Sequence, residues 1–414
     1  MKQFKYWQAR IFASIFIGYA GFYLIRNNIF SYAFPLLQKS FGYSNFDIGV
    51  IITLGNLVHA FGKGINGLIS DRVNARYFMS FGLLGSALMV MSMSFSQSFT
   101  SLVLLYMLHQ GFQSMGWPPC AKLLSSWFTK QELGLRWSLL NASQQFGGLA
   151  AYFVVAFVMW MFSKDWHFIF FVPAFLSLCA ALFLFVFLRD TPESMGFESV
   201  CKTDKKIDLY DWKVLKKLVY KNPLVLYVCC ANFFLYYVRM SLIIWAPKFL
   251  AEFKQVKTLA TITNPAMKDV CAVVGGIVAG YISDHIFKGD RGIVSTIYMV
   301  VITILIFVLW QLPGGNATLL MFLMGAIGFF LTGPQILIGI SATDYSDKRL
   351  SGAATGLTGF FGYAGTALTG VGSGWLLDHF GWNAFFFVVC VSGVCASAFL
   401  ALAWYKRLNH DKMV

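Results

Sequence analysis

Long apolar blocks separated by short polar segments run along the whole chain. Most blocks hold about 18 or more residues almost without charge, the length that a helix needs to cross a bilayer. A transmembrane β-barrel is disfavoured, because its strands alternate apolar and polar residues over about ten positions. The pattern predicts an all-α membrane protein with twelve transmembrane helices. The blocks fall at 11–37, 47–69, 78–96, 100–124, 137–162, 167–188, 223–250, 268–285, 292–312, 317–341, 351–376 and 382–405.

One polar stretch, residues 189–222, divides these blocks into two sets of six. It holds eight Lys or Arg and six Asp or Glu, and Pro223 suits the first turn of the helix that follows. We therefore predict a six-helix N-terminal half at 1–188, a cytoplasmic central loop at 189–222 and a six-helix C-terminal half at 223–414.

Composition excludes several other classes of protein. Hydrophobic residues make up 58% of the 414 positions and charged residues only 12%, whereas soluble domains carry about 25% charged residues. A soluble enzyme, a fibrous protein and a disordered chain are therefore excluded. The eight cysteines are scattered and show no spacing typical of a metal site or a disulfide framework. We expect no metal and no cofactor.

The distribution of Lys and Arg predicts the orientation of the helices. With the N-terminus in the cytoplasm, 23 Lys and Arg lie in the termini and even-numbered loops and 6 in the odd-numbered loops, of which four cluster at 248–268. This asymmetry puts both termini in the cytoplasm. It also explains the net charge of +14 without a nucleic-acid partner. The first block is too long for a signal peptide and is interpreted as a retained helix.

Three motifs recur at a nearly constant offset along the chain. Tyr23-x-x-Arg26 recurs as Tyr236-x-x-Arg239, and Gly67-x-x-Ser70-Asp71 recurs at the same offset as Gly280-x-x-Ser283-Asp284. Trp166 with Phe170-Phe171 recurs as Trp382 with Phe386-Phe387 at a slightly longer offset. The repeats predict two six-helix halves of the same topology, related by an axis along the membrane normal. In secondary transporters built this way, the substrate site lies near the bilayer midplane where the repeats meet.

Two arginines occupy positions where charge is costly. Arg26 lies about 22 Å along the first block at about 1.5 Å per residue, and Arg239 lies near the middle of the seventh. A charge at the centre of a spanning helix costs about 2.5–3.5 kcal/mol on insertion scales. Only Asp269, at the outer end of the eighth block, is a carboxylate within reach, so the pattern calls for an external anion. Two guanidinium groups match the charge and oxygen geometry of one phosphate group.

Several motifs resemble the major facilitator superfamily, and within it the organophosphate:phosphate antiporters. Gly67-Leu-Ile-Ser-Asp71-Arg72, with Arg76 following, resembles the superfamily motif between helices 2 and 3. The narrower resemblance rests on Gly18 to Asn28 in helix 1, Gly116-Trp117-Pro118-Pro119-Cys120 in helix 4, Arg189 to Ser194 after helix 6, Ser351 to Gly356 and Gly359 to Gly365 in helix 11, and Gly333 to Gly339. The antiporter family includes glycerol-3-phosphate and hexose-phosphate transporters and a related sensor.

The resemblance implies roles for individual residues. It places phosphate-binding arginines at Arg26 and Arg239 and a cavity lysine at Lys63, which lies one helical turn after His59. The other implied substrate-binding residues are Tyr19, Tyr23, Trp117, Asn141, Gln144, Tyr236 and Tyr363. Aromatic packing is the alternative for the tyrosines, and an ion pair or a snorkelling side chain is the alternative for Lys63. Asp71, Arg72, Arg76, Asp284 and Arg291 are interpreted as gating or structural charges, and His109, His167 and His379 as packing residues. Asn27 and Ile244 depart from the family pattern, which leaves the substrate open.

The predicted function is alternating-access exchange of an organic phosphate ester, of the hexose-phosphate or glycerol-3-phosphate class, for inorganic phosphate. A membrane sugar-phosphate sensor of the same fold and a carboxylate symporter are the alternatives. An enzyme is not expected, because no catalytic motif stands out. We expect a monomer in the lipid bilayer of a bacterial inner membrane, with a eukaryotic reticulum as the alternative location.

Overall fold

The computed structural model describes residues 2–70, 72–162, 165–198, 221–256, 258–287, 290–314, 316–345 and 351–411. The regular structure of these residues is helical, with one short 3₁₀ turn at Glu193–Met195 and one π-helical turn at Ile282–Ile286. The α-helices are α1 (Lys2–Leu24), α2 (Asn27–Phe41), α3 (Asn45–Ser70), α4 (Ala75–Met93), α5 (Phe99–Gln113), α6 (Trp117–Trp127), α7 (Lys130–Met161), α8 (Trp166–Phe187), α9 (Pro223–Glu252), α10 (Thr258–Tyr281), α11 (Arg291–Gln311), α12 (Ala317–Asp344) and α13 (Ser351–Asp411).

These helices supply twelve membrane spans. Ten helical runs among the described residues are long and apolar enough to cross a bilayer. One run lies in α13 and contains two spans, because Gly381 interrupts the helix with a left-handed φ of 71°. The helices α5 and α6, of 15 and 11 residues, are each too short to cross alone and together form the fourth span. The protein is therefore an all-α membrane protein with twelve transmembrane helices.

The chain packs into two compact units. The first comprises Met1–Tyr43 and Val50–Lys206, and the second Ser44–Gly49 and Ile207–Val414. In the first unit α1 packs against α7 and α8, and α4 packs against α5 and α8. In the second unit α9 packs against α13, and α12 packs against α10 and α11. Most of the predicted central loop, at 199–220, lies outside the described residues.

Two spans that the apolar pattern predicts as continuous are broken. The first span is interrupted at Ile25 and Arg26, between α1 and α2, and the fourth at Ser114–Gly116, between α5 and α6. The second break follows from Pro118 and Pro119, which open α6. Proline has no N–H, so the carbonyls four residues earlier, at Ser114 and Met115, lose their helical donors. Hydropathy averaged over a block does not register either break, because the polar residues at each break, Arg26 to Asn28 and Gln110 to Ser114, are few within a long apolar run.

The eighth span also begins earlier than its apolar block suggests. Helix α10 starts at Thr258, so Lys268 and Asp269 lie well inside it rather than at its outer end. Lys268 is only 2% exposed, and its Nζ lies 2.6 Å from Asp269 Oδ1. The assignment of Lys268 to an outer loop is therefore wrong. The Asp269 carboxylate balances this neighbouring lysine rather than a core arginine.

Candidate functional site

In the first unit, Arg26 lies at the break between α1 and α2, where it occupies the N-cap position of α2. Its backbone N–H donates to the carbonyl of Tyr23 at 3.3 Å. The guanidinium carbon lies 4.8 Å from the centroid of the Tyr23 ring, within the range of a cation–π contact. Its Nη2 lies 3.3 Å from Nε2 of His59. The Tyr23–Arg26 pair that the sequence singles out is therefore a direct contact.

Aromatic rings extend from this arginine along α1 and onto α6 and α7. Tyr19 lies with its ring centroid 5.3 Å from that of Tyr23 and 5.3 Å from that of Trp117, which in turn lies 5.1 Å from Trp137. The first three rings were predicted as site residues and are brought together. Trp137 was not predicted. A tryptophan in the fifth apolar block carries no signal that separates it from an ordinary packing residue.

The remaining predicted residues of the first unit lie on α3 and α7. Lys63 is half-buried on α3 and follows the buried His59 by one helical turn. On α7, Gln144 Nε2 donates to Asn141 Oδ1 at 3.0 Å, in a solvent-accessible position. These two amides therefore pair with each other. In sequence, His59 is only a neighbour of Lys63 and has no predicted role. The structure shows it contacting Arg26, which the wide separation of the two residues along the chain does not reveal.

In the second unit, the repeat-related arginine lies in an unbroken helix. Arg239 is half-buried near the middle of α9, and its guanidinium carbon lies 5.8 Å from the centroid of the Tyr236 ring. The Tyr236 ring lies 6.4 Å from that of Tyr363 on α13, so these three predicted residues form one cluster. No described residue of the second unit accepts a hydrogen bond from the Arg239 guanidinium. Within this unit the described contact of the Arg239 side chain is therefore the Tyr236 ring.

In each unit, a glycine lets a second helix pack directly against the helix that carries the tyrosine; we call each such contact a glycine crossing. A Cβ atom on Gly147 of α7 would lie 2.2 Å from the carbonyl oxygen of Ala20 and 2.7 Å from Cβ of Tyr23. A Cβ on Gly365 of α13 would lie 2.1 Å from the carbonyl oxygen of Phe233 on α9. Only glycine permits helices to approach so closely. These crossings fix the backbone of α1 and α9 beside the tyrosines that stack on the arginines.

Four of the predicted gating charges, Arg72, Arg76, Asp284 and Arg291, are described, and they are exposed or half-buried. Asp71 lies outside the described residues. Arg72 is exposed, Arg291 begins α11, and Asp284 is exposed in the π-helical turn. Arg76 Nε donates to the Phe185 carbonyl at 2.6 Å, which ties α4 to α8. No cluster of His, Cys, Asp or Glu suited to a metal ion occurs among the described residues.

Asp190 belongs to the Arg189–Ser194 motif, which follows α8, and it is not one of the predicted site residues. Its Oδ1 accepts the backbone N–H of Ala75 at 2.8 Å and lies 3.4 Å from Lys122 Nζ. It therefore ties the start of α4 to α6. Among the packing histidines, His167 pairs with Asp165 at 2.5 Å and His109 with Ser86 at 2.9 Å.

The two arginine clusters share a chemistry. Each combines one permanent cation with the phenol ring of the tyrosine that precedes it by about one helical turn. Guanidinium presents paired N–H donors that match the oxygens of phosphate or carboxylate. Each cluster therefore has the donor chemistry that an anion requires.

Comparison with known proteins identifies the family. The profile of the Major Facilitator Superfamily matches residues 11–370. The chain is 34% identical to the glycerol-3-phosphate transporter of Bacillus subtilis, over 98% of this chain and 95% of that transporter. It is 32% identical to a probable hexose phosphate transport protein of Chlamydia muridarum, over 97% and 92% of the two chains. It is 31% identical to the membrane sensor protein UhpC of Escherichia coli, over 94% and 90%.

A solved structure gives the same fold. The inward-facing, occupied structure of a bacterial homologue of the human lysosomal transporter Spinster superposes with a TM-score of 0.75 at 15% identity, covering 99% of this chain and 97% of the other. The fold, the repeated Tyr-x-x-Arg motif and these relatives all indicate the same family. The chain is an integral, multi-pass membrane protein that belongs to the major facilitator superfamily, a superfamily of transporters, and within it to the organophosphate:phosphate antiporter family.

Proposed function

We propose that the protein is a secondary active transporter that exchanges an organic phosphate ester, of the hexose-phosphate or glycerol-3-phosphate class, for inorganic phosphate. The observation that carries this proposal is the pair of repeat-related arginines. Arg26 and Arg239 each stack on a tyrosine three residues earlier. The relatives named for glycerol-3-phosphate and hexose phosphate support the same class of substrate.

Phosphate suits two arginines better than other anions do. A phosphate monoester carries about −1.5 to −2 charges at neutral pH, so two guanidinium groups neutralise it. Their planar donors bind its oxygens in bidentate fashion. A simple carboxylate carries one charge, and its binding would leave one of the two half-buried arginines uncompensated. In our proposal both arginines therefore bind the phosphate group, and the rest of the substrate contacts other side chains.

Exchange rather than one-way transport follows from the charges of the empty protein. Alternating access requires the binding residues to pass through a closed state. At an effective dielectric constant near 20, two like charges at close range repel each other by a few kcal/mol. A bound anion replaces that repulsion with attraction and lowers the barrier. Both strokes of the cycle therefore need an anion, and inorganic phosphate serves as the returning substrate.

The other predicted residues complete the proposal. Lys63 adds a third positive charge, and aromatic and amide side chains contact the organic part of the substrate: Tyr19, Tyr23, Trp117, Asn141, Gln144, Tyr236 and Tyr363. Asp71, Arg72, Arg76, Asp284 and Arg291 act in gating or in holding loops. The halves at 1–188 and 223–414 move as the two repeats, joined by the cytoplasmic loop 189–222. The protein acts as a monomer in the lipid bilayer of a bacterial inner membrane, with both termini in the cytoplasm, and catalyses no reaction.

Counterflow in proteoliposomes tests the proposal. Vesicles preloaded with phosphate should take up radiolabelled phosphate, and external sugar phosphates or glycerol-3-phosphate should compete while simple carboxylates do not. Arg26→Lys and Arg239→Lys should each abolish uptake, because lysine keeps the charge but lacks the paired donors. Lys39→Gln is the matched control, since Lys39 is an exposed cation of α2.

Three results would contradict the proposal in different ways. Saturable binding of a phosphate ester without flux would assign the protein to the sensor class, for which the similarity to the membrane sensor protein is the supporting observation. Transport that ignores phosphate competition would indicate a carboxylate symporter. Uptake that survives both lysine substitutions would remove the arginines from the site.

A further inference from the structure

A buried histidine links the Arg26 side chain to the interior of the first unit. His59 lies on α3 and is 2% exposed. Its Nε2 lies 3.3 Å from Nη2 of Arg26, and its Nδ1 lies 3.3 Å from the backbone carbonyl oxygen of Gln110 on α5. The imidazole therefore bridges the arginine and the backbone of a neighbouring helix.

The chemistry of its two partners fixes the protonation of this ring. A carbonyl oxygen only accepts a hydrogen bond, and a guanidinium only donates one. His59 must therefore donate from Nδ1 and accept at Nε2, which describes the neutral tautomer with its proton on Nδ1. An imidazolium would direct an N–H group at the guanidinium and lose the contact.

The carbonyl that holds His59 belongs to a rigid part of the unit. The Gln110 side chain donates to the Tyr106 hydroxyl at 3.0 Å. One turn later, Gln113 Nε2 donates to the Phe22 carbonyl at 3.0 Å and to Ser86 Oγ at 3.1 Å. These bonds tie α5 to α1, just before the helix break, and to α4. Buried networks of satisfied polar groups hold one geometry, so the imidazole is a fixed acceptor.

We propose that His59 is a positioning residue that orients the Arg26 guanidinium for phosphate. Its Nε2 accepts from Nη2, and the Tyr23 ring covers one face of the guanidinium. Together these two contacts fix the plane of the guanidinium and the directions in which its N–H groups point. A carboxylate in this place would compete with phosphate for the positive charge of the arginine. The neutral imidazole orients the guanidinium without that competition. The inference rests on the proposed function, because it assigns the reason for the contact to phosphate binding.

Paired substitutions test the role of the Nε2 lone pair. His59→Phe keeps the ring but removes both polar atoms, and should raise the KM for phosphate about tenfold, with a smaller change in kcat. His59→Gln supplies an amide oxygen as the acceptor and should restore most of the affinity. His109→Phe is the matched control: His109 is also buried, on α5, and pairs with Ser86, which Gln113 contacts as well, so this variant disturbs the same network while the Nε2 acceptor of His59 remains. A general loss of packing would affect both Phe variants alike and would not be restored by glutamine.

A nitrogen NMR measurement tests the contact without relying on transport. In protein labelled with ¹⁵N-histidine, the His59 signals are assigned by their loss in the His59→Phe variant among the six histidines. We expect a protonated Nδ1 and an unprotonated Nε2 at neutral pH, with the Nε2 signal shifting when phosphate is added. A proton on Nε2, or equal effects of the two Phe variants, would overturn the inference. If the wild-type protein neither exchanges nor binds phosphate, the proposed function fails, and the tautomer still decides whether the contact exists.

Discussion

Arg26 and Arg239 occupy equivalent positions in repeat-related helices, yet their surroundings differ. Arg26 lies at a break in its span and has a histidine acceptor 3.3 Å from its guanidinium. Arg239 lies within the continuous helix α9, and its contact among the described residues of its unit is the ring of Tyr236. Repeat-related arginines therefore have different neighbours: a histidine and a tyrosine in the first unit, and a tyrosine in the second.

The fourth and tenth spans show the same asymmetry. Pro118 and Pro334 are repeat-related, separated by the same offset that relates Trp166 to Trp382. Pro118 is followed by a second proline and opens a new helix, whereas Pro334 lies inside the continuous helix α12. One proline removes one backbone hydrogen bond, which a helix tolerates, but two in succession remove adjacent bonds. The broken backbone of the first unit therefore lies close to Trp117.

This difference teaches that internal repeats preserve topology and charge more strictly than local geometry. Irregular backbone at membrane depth persists where it is buried in protein or lines a cavity, and broken helices in transporters form binding sites. The first unit has a fixed, oriented arginine, and the second has an arginine oriented by its own helix. The following substitutions test whether that distinction matters.

The largest effect is expected from removing either charge. Arg26→Gln and Arg239→Gln should each lower phosphate exchange at least about 100-fold, since each loses two hydrogen bonds to a charged group, each contributing about 1.5–3 kcal/mol. Their effects on stability should differ. Arg239→Gln should raise the thermal unfolding midpoint of the empty protein in detergent, because it removes a half-buried charge from the middle of a membrane span. Arg26→Gln should raise it less, because His59 then loses its donor. Equal stabilisation would contradict the comparison.

The glycine crossings should behave alike in both units. Gly147→Ala and Gly365→Ala each force a methyl group onto a backbone carbonyl closer than 2.5 Å, and overpacking of this kind costs about 1–3 kcal/mol. Both variants should unfold at lower temperature and exchange phosphate more slowly. Gly359→Ala is the control on α13, because no atom lies within 4 Å of its added Cβ. A strong effect in one unit alone would show that the crossings are not equivalent.

The tyrosines should show a smaller and graded effect. The Tyr23 ring lies 4.8 Å from its arginine and the Tyr236 ring 5.8 Å, and cation–π contacts contribute about 0.5–2 kcal/mol. Tyr23→Leu should therefore raise the phosphate KM more than Tyr236→Leu does, by about tenfold against about threefold. The Tyr→Phe variants keep the rings and serve as controls with a KM near that of the wild type. A reversed order would contradict the role of the ring distances, and a KM raised in the Tyr→Phe variants would mean that the phenol hydroxyl groups contribute.

The smallest effect is expected at the prolines. Replacing Pro118 and Pro119 together by alanine restores donors for the Ser114 and Met115 carbonyls. Hydrogen–deuterium exchange across 114–119 should slow, and the phosphate KM should rise by about twofold to threefold as Trp117 shifts. Pro334→Ala should leave hydrogen–deuterium exchange in α12 unchanged, because that helix is already continuous. If hydrogen–deuterium exchange at 114–119 is unchanged in the double-alanine variant, the break does not depend on the prolines.

Much of the fold follows from the sequence alone. The twelve apolar blocks and the two arginines inside them are local features of the sequence. The free energy of placing each side chain in the membrane depends on the residue and its depth, so the sequence alone reveals both. The Tyr-x-x-Arg spacing likewise predicts a contact, because residues three apart share a helix face. Tyr23 and Tyr236 do stack on their arginines.

Only the tertiary structure revealed the features that depend on distant partners. The contact of His59 with Arg26 joins two helices, and the burial of Lys268 depends on where α10 begins and on the packing around it. The breaks at Arg26 and Gly116 occur inside long blocks whose average hydropathy stays apolar, so the polar residues at each break do not divide the block. Hydropathy measures the cost of moving a side chain into lipid. It is blind to backbone hydrogen bonds and to which neutral acceptor meets a buried cation, and both are set by packing between helices.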